Sequence, residues 1–181
     1  MKQKFLACLW ITTIIALTDV LTKVMIQSYM TLGSSREVLG SFFKLTYILN
    51  QGGVFGSKLG SNYFYTVSAI LVVMLVVYFL YKEFGKNKYV DLSLFIVLGG
   101  AVGNLVDRIR LGAVVDFLDF EFFNFNLLGY HFDRWPTFNV ADVAVTVGML
   151  LLICTVVFRL GRSSECEPKI CHIPLDRKIA D

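Results

Sequence analysis

The chain has 181 residues, of which 56% are hydrophobic and 17% are charged. Soluble domains average about 25% charged residues, so this composition excludes an ordinary soluble domain and is typical of an integral membrane protein. The net charge is only +3, and no basic patch is interleaved with aromatic residues. Nucleic acid is therefore not expected as a partner.

Four apolar runs predict membrane spans, at about 5–24, 63–82, 89–108 and 139–159. A spanning helix needs about 20 mainly apolar residues. The second run provides them almost without charge, whereas the other three must keep polar residues at one end. The first run leads into LTDVLTK and not into a small-residue cleavage site, so we expect a retained span and not a cleaved signal peptide. The predicted fold class is a membrane all-α bundle of four transmembrane helices.

The distribution of lysine and arginine predicts the orientation of the spans. These residues lie before the first span, between the second and third, and after the fourth. By the positive-inside rule, all three segments are cytoplasmic, including a tail at 161–181. The connections at 25–62 and 109–138 then lie outside. In the first of them, FFKLTYIL predicts a strand that ends in glycine turns.

The four cysteines do not indicate a disulfide framework. Cys8 and Cys154 lie in predicted spans, and Cys166 and Cys171 lie in the predicted cytoplasmic tail, which is a reducing location. The tail motif CEPKICH lacks the paired spacing of a zinc site.

Polar side chains gather at the predicted outer ends of the spans. Four segments supply them: Asp19 and Lys23; Asn50; Asn104 and Arg108, with Asp116 further on; Asn139 and Asp142. Ionisable groups at such depth are costly and usually functional. Each group alone has a structural explanation, such as snorkelling or an interfacial ion pair. Their convergence at one level of the membrane predicts a functional site.

Three glycines thin one face of the third span, at Gly99, Gly100 and Gly103. Small residues allow close approach of a second helix. That helix is either another span, in ordinary packing, or a substrate helix.

Paired aspartates at a membrane surface suit an aspartic peptidase, which needs two carboxylates and a water. Two carboxylates within about 3 Å cannot both ionise. The protonated one polarises the scissile carbonyl, and the other takes a proton from the attacking water. The titration then belongs to the pair.

Other chemistries remain open at this point. A metal site is one alternative, although no HExxH pair is present; its ligands would be Asp116, Asp142, His131 and Asp133. A Ser–His site lacks a serine in a matching motif. A proton-coupled transporter or channel subunit would place its charges near the midplane of repeated halves, and a non-catalytic scaffold would tolerate loss of either aspartate.

Five motifs, in order, resemble those of lipoprotein signal peptidase, also called signal peptidase II. They are TDVLTK at 18–23, NQGGVFG at 50–56, GGAVGNLVDR at 99–108, VVDF at 114–117 and FNVAD at 138–142. The resemblance covers about 5–160. It implies a bacterial cytoplasmic-membrane aspartyl peptidase that removes signal peptides from prolipoproteins, cutting just before a diacylglyceryl-modified cysteine.

The resemblance also implies roles for individual residues. Asp116 and Asp142 would be the catalytic pair. The supporting residues would be Asp19, Lys23, Asn50, Gly100, Asn104, Arg108 and Asn139. Asp107 falls on a different helix face from Asn104 and Arg108, so we expect it to be structural.

The remaining implications concern partners and the outer segments. We expect lipidated prolipoproteins and membrane lipids as partners, no cofactor or metal, and a monomer. The family pattern implies a small extracytoplasmic sheet and a flap over the substrate. The segment at 117–138 departs from that pattern, because it is longer than expected and carries an acidic, aromatic insertion.

Overall fold

The computed structural model describes residues 2–52, 61–121, 125–127, 130–132 and 134–164. Its helices are α1 (Lys2–Tyr29), α2 (Asn62–Glu83), α3 (Lys88–Leu111) and α4 (Val140–Ser164). Its strands are β1 (Ser35–Leu39), β2 (Phe43–Asn50), β3 (Val114–Phe120), β4 (Phe125–Leu127) and β5 (Tyr130–Phe132). All four helices are long and apolar enough to cross a membrane, and a small sheet accompanies them. The predicted fold class is confirmed.

Helix α3 is the centre of the bundle and contacts each of the other three helices. Glycines on α3 let two of those helices approach closely. A methyl group at Gly99 would meet Ile15 on α1, and one at Gly100 would collide with the carbonyl oxygen of Ala141 on α4. The thinned face therefore packs against two other spans of the chain itself.

The ends of α3 are fixed by their local sequence. Asn87 caps its start, with the side-chain oxygen accepting from the Tyr89 N–H at 2.8 Å. Asp91, in the first turn, accepts the Gly85 N–H with both carboxylate oxygens, at 3.0 and 3.2 Å. Gly112 ends the helix in the left-handed conformation, with φ of 65°. The chain turns sharply there and enters β3.

The sheet has the order β1-β2-β3 and is antiparallel throughout. It packs on the end of α1 through one apolar cluster: Ile26, Met30, Tyr47, Val115 and Phe117. In the β2–β3 register, Ile48 lies opposite Asp116. Beyond β3, β4 and β5 pair antiparallel in a separate two-stranded sheet.

Residues 135–138, which we call the cleft strip, run along the edge of β3 that does not pair with β2. Phe138 and Leu118 exchange backbone hydrogen bonds at 2.8 and 3.1 Å. The strip leads directly into α4, so sheet and helix are joined at this end of the bundle.

Some candidate residues identified in the sequence lie outside the residues that the structure describes. Asp133, Cys166 and Cys171 fall outside the described residues, and of His131 only the backbone, in β5, is described.

Candidate active site

Asp116 and Asp142 come from two different elements. Asp116 lies in the middle of β3 and is only 2% exposed. Asp142 lies in the first turn of α4 and is half-buried. Asn139 fixes that turn reciprocally: its side-chain oxygen accepts the Asp142 N–H at 2.9 Å, and its own N–H donates to Asp142 Oδ2 at 3.2 Å. This is the geometry of a capping box, built here from asparagine and aspartate.

Asn139 also joins the two carboxylates. Its Nδ2 donates to Asp116 Oδ1 at 2.7 Å, while its backbone holds Asp142 as described. Asn104 of α3 donates from Nδ2 to the second oxygen of Asp142, Oδ1, at 2.8 Å. Asn50 donates to Asp116 Oδ2 at 3.0 Å. The carboxylates are therefore held in one hydrogen-bonded network of asparagine amides.

The orientation of these amides is set by further bonds. Asn104 Oδ1 accepts from Lys23 Nζ at 2.8 Å and from Asn139 Nδ2 at 3.1 Å, which leaves its Nδ2 to face Asp142. Asn50 Oδ1 accepts the Gly52 N–H at 2.9 Å, so its Nδ2 faces Asp116. Each amide presents a donor to its carboxylate because its oxygen is already occupied.

A fully buried charge cluster lies behind this network. Lys23 Nζ is 2.7 Å from Asp19 Oδ2 and 3.1 Å from Asp107 Oδ2, and all three side chains are at most 1% exposed. Buried charges of this kind are tolerated only when paired and hydrogen-bonded. Together the three residues tie α1 to α3 beneath the site.

The buried carboxylates of Asp107 and Asp19 accept hydrogen bonds from the backbone next to the candidate catalytic pair. Asp107 Oδ2 accepts the N–H of Val115, the residue before Asp116, at 3.1 Å. Asp19 Oδ1 accepts the N–H of Ala141, the residue before Asp142, at 2.8 Å. The cluster therefore anchors both chain segments that present the aspartates.

Arg108 lies at the edge of the same site. Its Nη2 donates to the Gly52 carbonyl oxygen at 3.1 Å, and its guanidinium lies 5.6 Å from the centre of the Tyr65 ring. A cation over an aromatic face at this distance is attracted by the ring quadrupole. Arg108 thus connects α3 with α2 and with the chain after β2.

Burial and, second to it, the negative charge of Asp142 together raise the pKa of Asp116 to about 6. Hydrogen bonds from Asn50 and Asn139, and the charge of Lys23, act in the opposite direction. A carboxylic acid with a pKa this close to neutrality can hold a proton during a reaction.

Both aspartates face a cavity of about 690 Å³. Its walls come from α2, α3, α4 and the cleft strip, and they are mainly apolar. Representative lining residues are Ala69, Val72, Val143 and Val147. An apolar cavity with a few convergent polar groups is the usual form of a binding site.

The structure brings together eight of the nine site residues expected from the sequence, in one network around the carboxylates. The ninth, Gly100, lies one helical turn from Asn104 and packs against Ala141 and Val145 of α4. Asp107, expected to be structural, contacts Lys23 and Val115. Within the described part of the chain, no group of three His, Cys, Asp or Glu residues is placed to hold a metal ion.

Sequence reasoning missed other residues at this site. Tyr65 lines the cavity from α2, and Trp135 lines it from the cleft strip. Arg134, beside that strip, was also missed. Little in the sequence marks these residues as functional. Tyr65 lies at the end of an uncharged apolar run, and Arg134 and Trp135 lie in the insertion that departs from the family pattern.

Comparison with known proteins identifies the family. Residues 11–158 match the family model described as signal peptidase (SPase) II. A lipoprotein signal peptidase of Desulforapulum autotrophicum is 39% identical over 156 residues, covering 83% of this chain and 91% of that protein. A lipoprotein signal peptidase of Staphylococcus aureus is 33% identical over 159 residues, covering 88% and 93%.

A solved structure agrees with the sequence relatives. It is titled a bacterial membrane enzyme structure by the in meso method, has a TM-score of 0.75 and 31% identity, and the match covers 90% of this chain and 94% of that one. The chain therefore belongs to the signal peptidase II family of lipoprotein signal peptidases, and it is an integral membrane protein and a membrane aspartic peptidase.

Proposed function

We propose that Asp116 and Asp142 are the catalytic pair of this peptidase, which cuts lipidated prolipoproteins just before the diacylglyceryl-modified cysteine. The observation that carries the proposal is the shared clamp on the two carboxylates. Asn139 donates to both carboxylates: its side chain donates to Asp116, and its backbone N–H donates to Asp142. Two carboxylates held by one residue at the wall of a cavity are preorganised to act on one substrate bond.

Asp116 is the proton-bearing partner in this proposal. It is buried, and its pKa is raised to about 6, with the charge of Asp142 as the second cause. A protonated Asp116 donates to the scissile carbonyl oxygen, on which negative charge develops.

Asp142 is the base. It is half-buried and lines the cavity, where a water can reach it. It takes a proton from that water as the water oxygen attacks the carbonyl carbon. When the tetrahedral intermediate breaks down, the cysteine nitrogen leaves with a proton returned by the pair.

The cavity walls support a lipid-modified helical substrate. The lining is mainly apolar along α2 and α4, and polar groups concentrate where Asp116, Asp142 and Asn104 lie. This arrangement suits acyl chains and an apolar signal helix on one side and a hydrated peptide bond on the other.

The membrane orientation belongs to the same proposal. The positive-inside pattern supports cytoplasmic termini, with the sheet and the aspartates at the outer face. A site at that level holds the lipid within the bilayer while water enters from outside.

The test is cleavage of a purified diacylglyceryl-modified prolipoprotein by the purified protein in detergent. Asp116→Asn and Asp142→Asn should each abolish cleavage while thermal unfolding confirms that both fold. Asp91→Asn is the matched control, because Asp91 is a buried aspartate near the start of α3, far from the cavity. Cleavage that survives either site substitution removes that aspartate from the pair.

A further inference from the structure

The cleft strip forms one wall of the cavity beside the aspartates. All four of its residues, 135–138, line the cavity together with Asp116 and Asp142. Trp135 is 49% exposed and lines the cavity, so it forms part of the surface that a ligand would meet. The position of this strip therefore decides the shape of the cleft near the proposed scissile bond.

The two ends of the strip are held differently. At Phe138, backbone bonds to Phe117 and Leu118 fix the strip to β3. At the other end, the Trp135 N–H donates to the Phe120 carbonyl oxygen at 2.8 Å. The side chain of Arg134, directly before the strip, adds several further bonds.

Arg134 uses its guanidinium as a fork. Nε donates to Asp119 Oδ1 at 2.6 Å, Nη2 donates to the Asp119 carbonyl oxygen at 3.2 Å, and Nη1 donates to Glu121 Oε2 at 3.0 Å. Nη1 also donates to the carbonyl oxygen of Ser41, between β1 and β2, at 2.8 Å. One side chain thus joins the start of the strip to the end of β3 and to the β1–β2 turn.

The fork is partly protected from water and is oriented by a further bond. The side chains of Arg134 and Asp119 are 26% and 10% exposed. Asp119 Oδ2 accepts from the Thr46 hydroxyl at 2.6 Å, which leaves Oδ1 to face Arg134. A planar guanidinium can make these divergent bonds at once, whereas a lysine ammonium is a point charge on a flexible stem.

We propose that Arg134 is a positioning residue that sets the Trp135 wall of the cleft and thereby governs substrate binding. The inference rests on the proposed function, because it assumes that the cleft binds the prolipoprotein. It assigns no chemical step to Arg134, which acts through the strip and not on the reacting atoms.

The experiment uses the full chain in detergent, with Trp10→Phe as background. The chain has two tryptophans, so Trp135 is then the sole tryptophan fluorophore. Arg134→Met keeps the length of the side chain and removes the fork. Arg36→Met is the matched control, because Arg36 is exposed on β1 of the same sheet. The readouts are KM and kcat for a diacylglyceryl-modified prolipoprotein, together with Trp135 emission and its quenching by acrylamide.

We expect Arg134→Met to raise KM by about fivefold or more, equivalent to about 1 kcal/mol, while kcat falls less than twofold. Trp135 emission should shift and its quenching should change, and Arg36→Met should alter none of these. If Arg134→Met does not fold, Arg134→Lys replaces it, with the same direction of change expected because lysine cannot reproduce the fork.

If Arg134→Met leaves KM unchanged, the proposal is overturned, even if Trp135 fluorescence changes or the melting temperature falls. A raised KM without any change at Trp135 also overturns it, because the wall would not have moved. Failure of the folded wild-type protein, with Trp10 intact, to cleave the lipidated precursor would instead refute the proposed function.

Discussion

Asp116→Asn should change the stability of the substrate-free protein in a pH-dependent way. Burial, together with the charge of Asp142, raises the pKa of Asp116 from its ordinary 3.8 to about 6. That difference corresponds to about 3 kcal/mol of unfolding free energy, which the wild type loses when the buried carboxyl ionises. Asparagine does not ionise, so the variant avoids this loss.

The sign of the effect follows from proton binding. Between about pH 4 and pH 6 the folded state holds the Asp116 proton more tightly than the unfolded chain does. The contribution of Asp116 to the wild-type free energy of unfolding is therefore fully present below pH 4 and is lost as the pH rises to 6. The variant should gain about 3 kcal/mol relative to the wild type across this window.

A second effect of the substitution does not depend on pH. The new amide can accept a hydrogen bond through only one atom, whereas Asp116 accepts from both Asn50 and Asn139. Losing one of these bonds costs about 1–3 kcal/mol at every pH. The stability difference at a single pH mixes both effects, and its change with pH isolates the ionisation of Asp116.

The assay is thermal unfolding of both proteins in detergent from pH 4 to pH 8. About 3 kcal/mol corresponds to a change of about 6–12 °C in the difference between their melting temperatures, on the scale of soluble domains of similar length. Repeating the comparison in an Asp142→Asn background should give a smaller change, because one cause of the raised pKa is gone. A difference that stays constant with pH would refute the reasoning.

Three further substitutions test the surrounding network. Lys23→Met leaves the carboxylates of Asp19 and Asp107 buried without their cation, so it should destabilise the protein by about 3–5 kcal/mol; an unchanged melting temperature would contradict this. Gly100→Ala forces a methyl group against the Ala141 carbonyl on α4, with an expected cost of about 1–3 kcal/mol and a lower kcat, whereas wild-type kinetics and stability would show that α4 can shift freely. Asn139→Ala removes a donor that lowers the pKa of Asp116, so the pH window described above should move upward; an unmoved window would show that this bond does not stabilise the carboxylate.

The membrane helices could be predicted from the sequence because their signal is local. Length and apolarity alone define the four spans, and a helix satisfies its own backbone in the bilayer. Strand β2 was also predicted, from FFKLTYIL. Strand β1 was not predicted separately, because its five exposed residues show no buried alternation.

Membership of the site could be predicted, but the connections within it could not. Motif order and depth brought Asp116, Asp142 and Asn139 together, yet which amide faces which carboxylate depends on how three helices and two strands meet. Asp107 illustrates the limit. Its helix face placed it away from Asn104, but only the fold brings it to the N–H of Val115 and to Lys23.

Arg134 was missed for a similar reason. Its partners Asp119, Glu121 and Ser41 become neighbours only after β3 pairs with β2 and the chain returns along the sheet edge. A lone arginine in a polar, aromatic insertion gives no periodic or motif signal.

The most direct test of the two-aspartate mechanism is a single turnover of diacylglyceryl-modified prolipoprotein in H2¹⁸O, with both products and the enzyme examined by mass spectrometry. A water activated by Asp142 puts ¹⁸O into the new carboxylate of the released signal peptide, leaves the enzyme unlabelled, and gives a mature product that begins at the lipidated cysteine. Label in an aspartate of the enzyme with none in the released peptide, or a mature product that begins elsewhere, would contradict the account.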